Sequence, residues 1–249
     1  MIVVMAQQTV EPSPARRPAP RRRRGVVLWL GVTLILVGVG LLAYVAWQFF
    51  GTNVVSHHKQ KALIEKTERQ WKQARVDAGA SGRTSGRTSG RARGTDLGGA
   101  QALVRIPAFG KDYVVPVQKG VGEDVLAEGL GHFPQSVAPG QVGNYAIAGH
   151  RVTHGEPFRH LPRLHEGSRI VVETQDRTYT YRLTTDPKDL IVTFNDIWVV
   201  SPLPKNPYGG VQPAQRPGQR LITLTTCSEL FHTDNRMIAF GHLVSSRAS

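Results

Sequence analysis

Cys227 is the only cysteine among 249 residues. It closes the run Leu221-Ile222-Thr223-Leu224-Thr225-Thr226-Cys227, whose apolar and β-branched residues read as a strand, and a polar loop follows from Ser228 to Asn235. That order sets the thiol at the rim of a sheet and not in mid-core. An inert buried thiol is the competing reading. To act as a nucleophile the sulfur needs an imidazole or guanidinium to lower its pKa or move its proton, and donors for a developing oxyanion. Nine histidines are available, and His57, His58, His154, His160 and His165 lie in polar stretches where solvation is the default. His150 differs, because it ends a strand-like run at Gly149-His150-Arg151, beside a backbone that other groups can approach closely. Arg236 opens the last apolar run. If Cys227 ends one antiparallel strand and Arg236 begins its neighbour, the two share one edge of a sheet. Spacing alone leaves open whether His150 comes to that same edge.

These groups are carried by short runs rich in Val, Ile, Tyr and Thr. They are Leu103 to Ile106, Tyr113 to Val117, Tyr145 to Gly149, Arg169 to Glu173, Arg177 to Leu183, Leu190 to Val192, Ile197 to Val200, Leu221 to Thr226 and Met237 to Val244. Pro, Gly, Asn and Asp punctuate them, which predicts an all-β barrel or sandwich, and the domain length favours a barrel. Two helical stretches interrupt the strands, Glu123 to Glu128 and Phe158 to Leu164. A lone cysteine excludes an intrachain disulfide framework and any multi-cysteine metal site. Glu123, Asp124 and Glu128 read as the solvated face of a short helix, so no metal and no cofactor are expected.

The charge of the chain sits away from this domain. The net charge is +13 overall, but residues 1–100 hold 16 Lys+Arg against 5 Asp+Glu, and the rest hold 15 against 13. A nucleic-acid-binding domain concentrates its basic residues on its folded part, so nucleic acid is not the expected partner. Residues 1–25 are rich in Pro and Arg and read as a disordered tail. Val26 to Phe50 carries no charge and is long enough to cross a bilayer with some tilt. Its length and its bulky end at Trp47, Phe49 and Phe50 favour an uncleaved anchor over a signal peptide. The arginines before it, Arg21 to Arg24 among them, predict a cytoplasmic N-terminus and residues 51–249 outside. Residues 51–78 read as a polar helical stalk, with Glu65 four residues before Arg69. Residues 79–100 repeat Ser-Gly-Arg-Thr and read as a flexible linker with a span of roughly 25 Å.

The pattern Asn144-Tyr145-Ala146-Ile147-Ala148-Gly149-His150-Arg151, then Leu-Thr-Thr-Cys at Leu224 to Cys227, then Asn235-Arg236 leading an apolar strand, resembles the sortase family. The resemblance covers about residues 101–246 and includes Ile106-Pro107, Gly131-His132-Phe133-Pro134, Pro139-Gly140 and Gly155-Glu156-Pro157-Phe158. These are most similar to class E sortases of high-GC Gram-positive bacteria.

The resemblance implies a closed eight-stranded sortase-type β-barrel with short helices, anchored in the membrane as a type II protein. It implies a cysteine transpeptidase that cleaves the Thr–Gly bond of a C-terminal sorting signal through a thioacyl enzyme. Cys227 is then the nucleophile, His150 the acid/base and Arg236 the oxyanion or substrate-positioning group. The implied partners are secreted proteins bearing sorting signals, an amine of a peptidoglycan precursor and the lipid bilayer. Phe133, Tyr145, Thr225 and Thr226 are the candidate substrate contacts. Class E enzymes are associated with Leu-Ala-x-Thr-Gly signals and with a Tyr where this chain has Phe133, so the Ala preference does not transfer automatically. His132 and His154 are expected at the surface. A thiol hydrolase of similar peptides shares these residues, and a non-catalytic binding module with a structural cysteine is the reading from another class.

Overall fold

The computed structural model describes residues 22–81, 99–228 and 234–249. The N-terminal tail before Arg22, most of the Ser-Gly-Arg-Thr linker and residues 229–233 lie outside them. The chain divides into two units, 1–45 and 46–249. The first holds most of helix α1 (Arg22–Ala46), whose residues Gly25–Ala46 have a mean hydropathy of 2.6 and are long and apolar enough to cross a membrane.

The second unit begins with a π-helical turn (Trp47–Gly51) and helix α2 (Thr52–Ser81). Strands β1 (Ala102–Arg105), β2 (Val115–Lys119), β3 (Leu130–His132), β4 (Gly143–Gly149), β5 (Arg169–Glu173), β6 (Arg177–Leu183), β7 (Ile191–Thr193), β8 (Arg220–Cys227) and β9 (Asn235–Ala248) follow, with helix α3 (Glu123–Leu126) between β2 and β3. Eight strands close in the order β6-β5-β1-β2-β3-β4-β8-β9, and β9 returns to β6. β7 adds only to the first residues of β9. This is a closed eight-stranded barrel. Closure leaves the ring without an unpaired edge.

Alternation along the strands divides the side chains between two faces. Tyr145 and Ile147 of β4, Ile222 and Leu224 of β8, and Met237 and Ala239 of β9 fill the interior, with Phe158, Leu161, Tyr181 and Ile170. Ala146, Ile238 and Phe240 point outward from the same strands into a second cluster. That cluster is covered by Leu190, Val192, Val199 and Val200, with Phe133, Trp198 and Val211 packed against it.

Four elements differ from the sequence expectation. Phe158 to Leu164, expected as a helix, holds only a 3-10 turn at Leu161–Arg163. Ile197–Val200, expected as a strand, is a 3-10 turn that packs Val199 and Val200 onto the outer cluster; an apolar run of four residues fits either, and tertiary packing decides. Leu130–His132 was not expected and is β3, parallel to β2. Leu-Gly-His lacks β-branched residues, and Gly131 is needed because a Cβ there would meet Gly120 O at 2.4 Å. The stretch expected as an exposed stalk, α2, packs along one face against the barrel. Ser56, Gln60, Thr67 and Trp71 are buried on it, and Trp71 joins Ala100 and Leu103 in a small cluster with Leu63, Ile64 and Val114. Ala100 at the end of the expected linker donates its N–H to Thr67 Oγ1 (3.0 Å).

His132, expected at the surface, is 9% exposed and its ring lies against Tyr145 at 4.8 Å. Its ring nitrogens meet Val137 O and the Gln101 side-chain amide, both at 3.1 Å. Burial pushes its pKa below the ordinary 6.5, outweighing the Val137 carbonyl, and Lys119 adds to the shift. The native state therefore binds fewer protons than the unfolded chain at mildly acid pH, so folding free energy is lost as pH falls through about 6.5 and below. We expect the melting temperature to decline between about pH 7.5 and about pH 5.5, and His132→Gln to flatten that decline in differential scanning fluorimetry.

Candidate active site

β8 supplies the first group of the site. It lies parallel to β4 on one side, in the register Tyr145↔Ile222 through Ala148↔Thr225, and antiparallel to β9 on the other. The parallel register continues one step to Gly149 beside Thr226, where Thr226 Oγ1 donates to Gly149 O (2.8 Å). The next residue of each strand is His150 and Cys227. Across the other seam Cys227 stands directly opposite Arg236. Three groups separated by 77 and 9 positions in the chain thus come to one rim: Cys227 and Arg236 are paired on neighbouring strands about 4.8 Å apart, and His150 follows directly after β4. By alternation all three belong to the outer face, with Ala146, Thr223, Thr225 and Ile238. All three are partly exposed.

Several contacts fix the row. A Cβ at Gly149 would meet Leu130 Cδ2 at 2.5 Å and Phe158 Cδ2 at 2.9 Å, so only glycine lets β4 end against the interior there. The Arg151 guanidinium donates to the carbonyls of Cys227 (3.5 Å) and Ser228, tying the end of β8 to the end of β4. The His150 ring stacks on His154 at 4.7 Å with 29° between planes. Its Nε2 lies 3.8 Å from Glu123 Oε2. Glu123 is 86% exposed, so that pair adds little to stability. Arg236 donates to Asn235 O (3.0 Å) and lies over the Phe194 ring, 5.5 Å from its centroid.

The wall of the site is β7 and the turn after it. Ile191, Phe194 and Ile197 expose large apolar side chains there. Asn144, fully buried, holds this wall to the sheet. Its Nδ2 donates to Val199 O and Ser201 O, both at 3.1 Å, and its Oδ1 accepts from Thr223 Oγ1 (2.8 Å). An asparagine inside a strand is unfavoured, and that oddity was the signal in the sequence for a structural task.

The candidate substrate contacts separate by face. Phe133 packs on the outer cluster, and Thr225 lies two residues before Cys227 on the outer face. Tyr145 is 1% exposed in the interior cluster, with burial pushing its phenol pKa up and its OH without a hydrogen-bond partner among the described residues. Thr226 is 2% exposed and bonded to Gly149. Period two turns Tyr145 and Thr226 inward, and Thr225, on the outer face, is itself only 6% exposed, so of the four candidate contacts Phe133 alone is partly exposed. His154 and Glu123, read from sequence as solvated, both touch His150. Glu128 turns elsewhere, to Lys59 (3.2 Å). Among the described residues no three of His, Cys, Asp or Glu gather where a metal ion would bind.

A sortase-domain family model matches residues 104–244, more than half of the chain. The chain belongs to the sortase family. Sortases are cysteine transpeptidases. The chain is 32% identical over 244 residues to sortase SrtE1 of Streptomyces coelicolor, covering 94% of this chain and 62% of that relative's length. The solved structure of sortase E from Streptomyces avermitilis matches with a TM-score of 0.53 at 34% identity, covering 60% of this chain and 90% of the other. Sortase E1 of S. coelicolor, solved with a tripeptide in its active site, matches with a TM-score of 0.52 at 34% identity over the same shares. The likeness to class E sortases of actinobacteria thus holds in both sequence and fold.

In this sortase the hold of Asn144 on its wall is testable. Asn144→Leu leaves the Val199 and Ser201 carbonyls without that donor, and chemical denaturation should show a loss of about 1–3 kcal/mol.

Proposed function

We propose that the domain cleaves the Thr–Gly bond of a C-terminal sorting signal and transfers the new acyl end to an amine. The observation that carries this reading is the row His150, Cys227, Arg236 on one outer face, within a sortase barrel. Cys227 as thiolate attacks the threonine carbonyl carbon, and the carbonyl oxygen takes the negative charge. The Arg236 guanidinium, on the neighbouring strand, stabilises that oxyanion or positions the carbonyl. Collapse breaks the C–N bond, and the glycine amine leaves with a proton from the His150 imidazolium. A thioacyl enzyme remains. An incoming amine attacks it, His150 takes the amine's proton, and Cys227 departs as thiolate.

The exposed apolar wall of Ile191, Phe194 and Ile197 supports an apolar residue of the signal docking beside Arg236. Phe133 packs on the same outer cluster and brings no hydroxyl, which supports packing-based and therefore looser choice between Leu-Ala-x-Thr-Gly and Leu-Pro-x-Thr-Gly. The acceptor is an amine of a cell-wall precursor, and the product a protein fixed to the wall. Helix α1 is the single-pass anchor, with the arginine-rich N-terminus in the cytoplasm and the barrel outside. A hydrolase using water as acceptor shares these groups and differs only in product.

Quenched-fluorescence peptides with either signal, given with and without an amine and followed by mass spectrometry, test the reading. Cys227→Ala should abolish cleavage and the thioacyl mass. His150→Ala should do nearly the same, and Arg236→Ala should lower kcat by about 10²–10³-fold. Cleavage that survives Cys227→Ala refutes the mechanism. Product that stays hydrolytic with the amine present favours the hydrolase. Phe133→Tyr should sharpen the preference between the two signals, and an unchanged ratio refutes the role given to Phe133.

A further inference from the structure

We propose that helix α2 is a working part of this active site, in which Asn53 and Gln60 are positioning residues that hold the loop after β4 and, through His154, the His150 imidazole. The inference rests on the reading of His150 as the acid/base group.

The loop from Arg151 to Pro157 leaves β4 directly after His150. At its tip His154 (φ 54°), Gly155 (φ 78°) and Glu156 (φ 49°) are three consecutive left-handed residues. Two of them carry side chains, so the shape costs free energy and persists only where surrounding contacts impose it. α2 provides those contacts. Asn53 Oδ1 accepts from the Gly155 N–H (2.9 Å), and Asn53 Nδ2 donates to Glu156 Oε1 (3.0 Å). Gln60 Nε2 donates to His154 O (3.4 Å). Each of the three left-handed residues is thus bonded to the helix. A Cβ at Gly155 would meet Gln60 Nε2 at 2.7 Å, so helix and loop are in direct contact.

Asn53, Ser56, Gln60, Thr67 and Trp71 recur at helical spacing and lie on one face of α2. Ser56 and Gln60 are 2% and 6% exposed. This face is polar where it meets the loop and apolar only near Trp71, unlike the apolar stripe of an ordinary docked helix. Further contacts run from α2 to the rest of the domain: Lys59 with Glu128 (3.2 Å), Thr67 with Ala100 (3.0 Å) and Glu68 with Arg105 of β1 (3.9 Å).

The loop so held carries the His154 ring onto the face of His150, at 4.7 Å. A flat partner on one face restricts rotation of the His150 imidazole about its Cβ–Cγ bond, which aims its nitrogens. On its edge Glu123 of α3 approaches at 3.8 Å. The chain of contact is therefore α2, loop tip, His154, His150. In sequence α2 follows the apolar helix after a single π-helical turn, so the orientation of the acid/base group depends on the segment next to the proposed anchor.

The test uses the full chain in detergent micelles or nanodiscs with the fluorogenic peptides above. Asn53→Ala and Gln60→Ala should lower kcat by about ten- to a hundred-fold while KM stays near its original value, because the apolar wall is untouched. Arg69→Ala, whose side chain faces solvent on α2, should change neither. His154→Ala should lower kcat, and adding Asn53→Ala to it should lower kcat no further, since two residues on one chain of contact are not additive. Hydrogen exchange should quicken at residues 152–158 in the Asn53→Ala/Gln60→Ala double variant, with β4, β8 and β9 unchanged. Unaltered kcat in the double variant, full additivity with His154→Ala, or unaltered exchange in the loop would each overturn the proposal. Cleavage abolished by Cys227→Ala but indifferent to Asn53 and Gln60 sinks this inference alone. A wild-type chain that cleaves neither peptide sinks the functional reading, and loop exchange then decides whether α2 holds the loop.

Discussion

The parallel pairing of β4 with β8 is the constraint on which the rest of the molecule turns. Parallel strands run in the same direction, so their C-terminal ends lie at one rim, and the register Ala148↔Thr225 carries His150 alongside Cys227. β9 then folds back antiparallel on β8 and begins with Arg236 at the same level. A slip of one residue in either seam would turn a member of the row to the other face. The interior cluster resists such a slip, because Tyr145, Ile147, Ile222, Leu224, Met237 and Ala239 would then be driven out of the core.

The outer face of these strands serves a second purpose. In many barrels that face is wet. Here Ala146, Ile238 and Phe240 are covered by Leu190, Val192, Val199 and Val200, and the fold builds one wall of a groove from what would otherwise be loop. Asn144 and Thr223 supply the polar half of this arrangement. They satisfy the carbonyls of a 3-10 turn that has no strand partner. Buried polar groups of this kind stabilise only when all are bonded, which ties the shape of the wall to the same strand that leads into His150.

Helix α2 adds a support that the barrel lacks. The loop tip at His154, Gly155 and Glu156 is bonded to the helix at each residue. Holding an exposed loop in an unfavourable backbone shape lowers the entropy lost when a substrate arrives, and the His150 ring, in its proposed acid/base role, benefits if it is already aimed.

Much of this protein was legible in its residues. Composition and the uncharged 25-residue stretch at Val26 to Phe50 marked a segment able to cross a bilayer, because hydrocarbon tolerates no unpaired charge. Period-two patterning located most strands, and the order His150, Cys227, Arg236 with its flanking motifs pointed to the family. What the residues could not determine was facing and contact. Tyr145 and Thr226 sit beside the key positions in the chain, yet alternation buries both. Ile197–Val200 is apolar enough for a strand and becomes a turn, because the outer cluster offers it a surface and the neighbouring strands offer it no edge. α2 shows a polar sequence with little amphipathic pattern, since half-buried Asn53 and buried Gln60 and Thr67 meet the rest of the domain by hydrogen bonds and not by hydrophobic burial. Such pairings join residues about a hundred positions apart, and only the closed barrel brings them within reach.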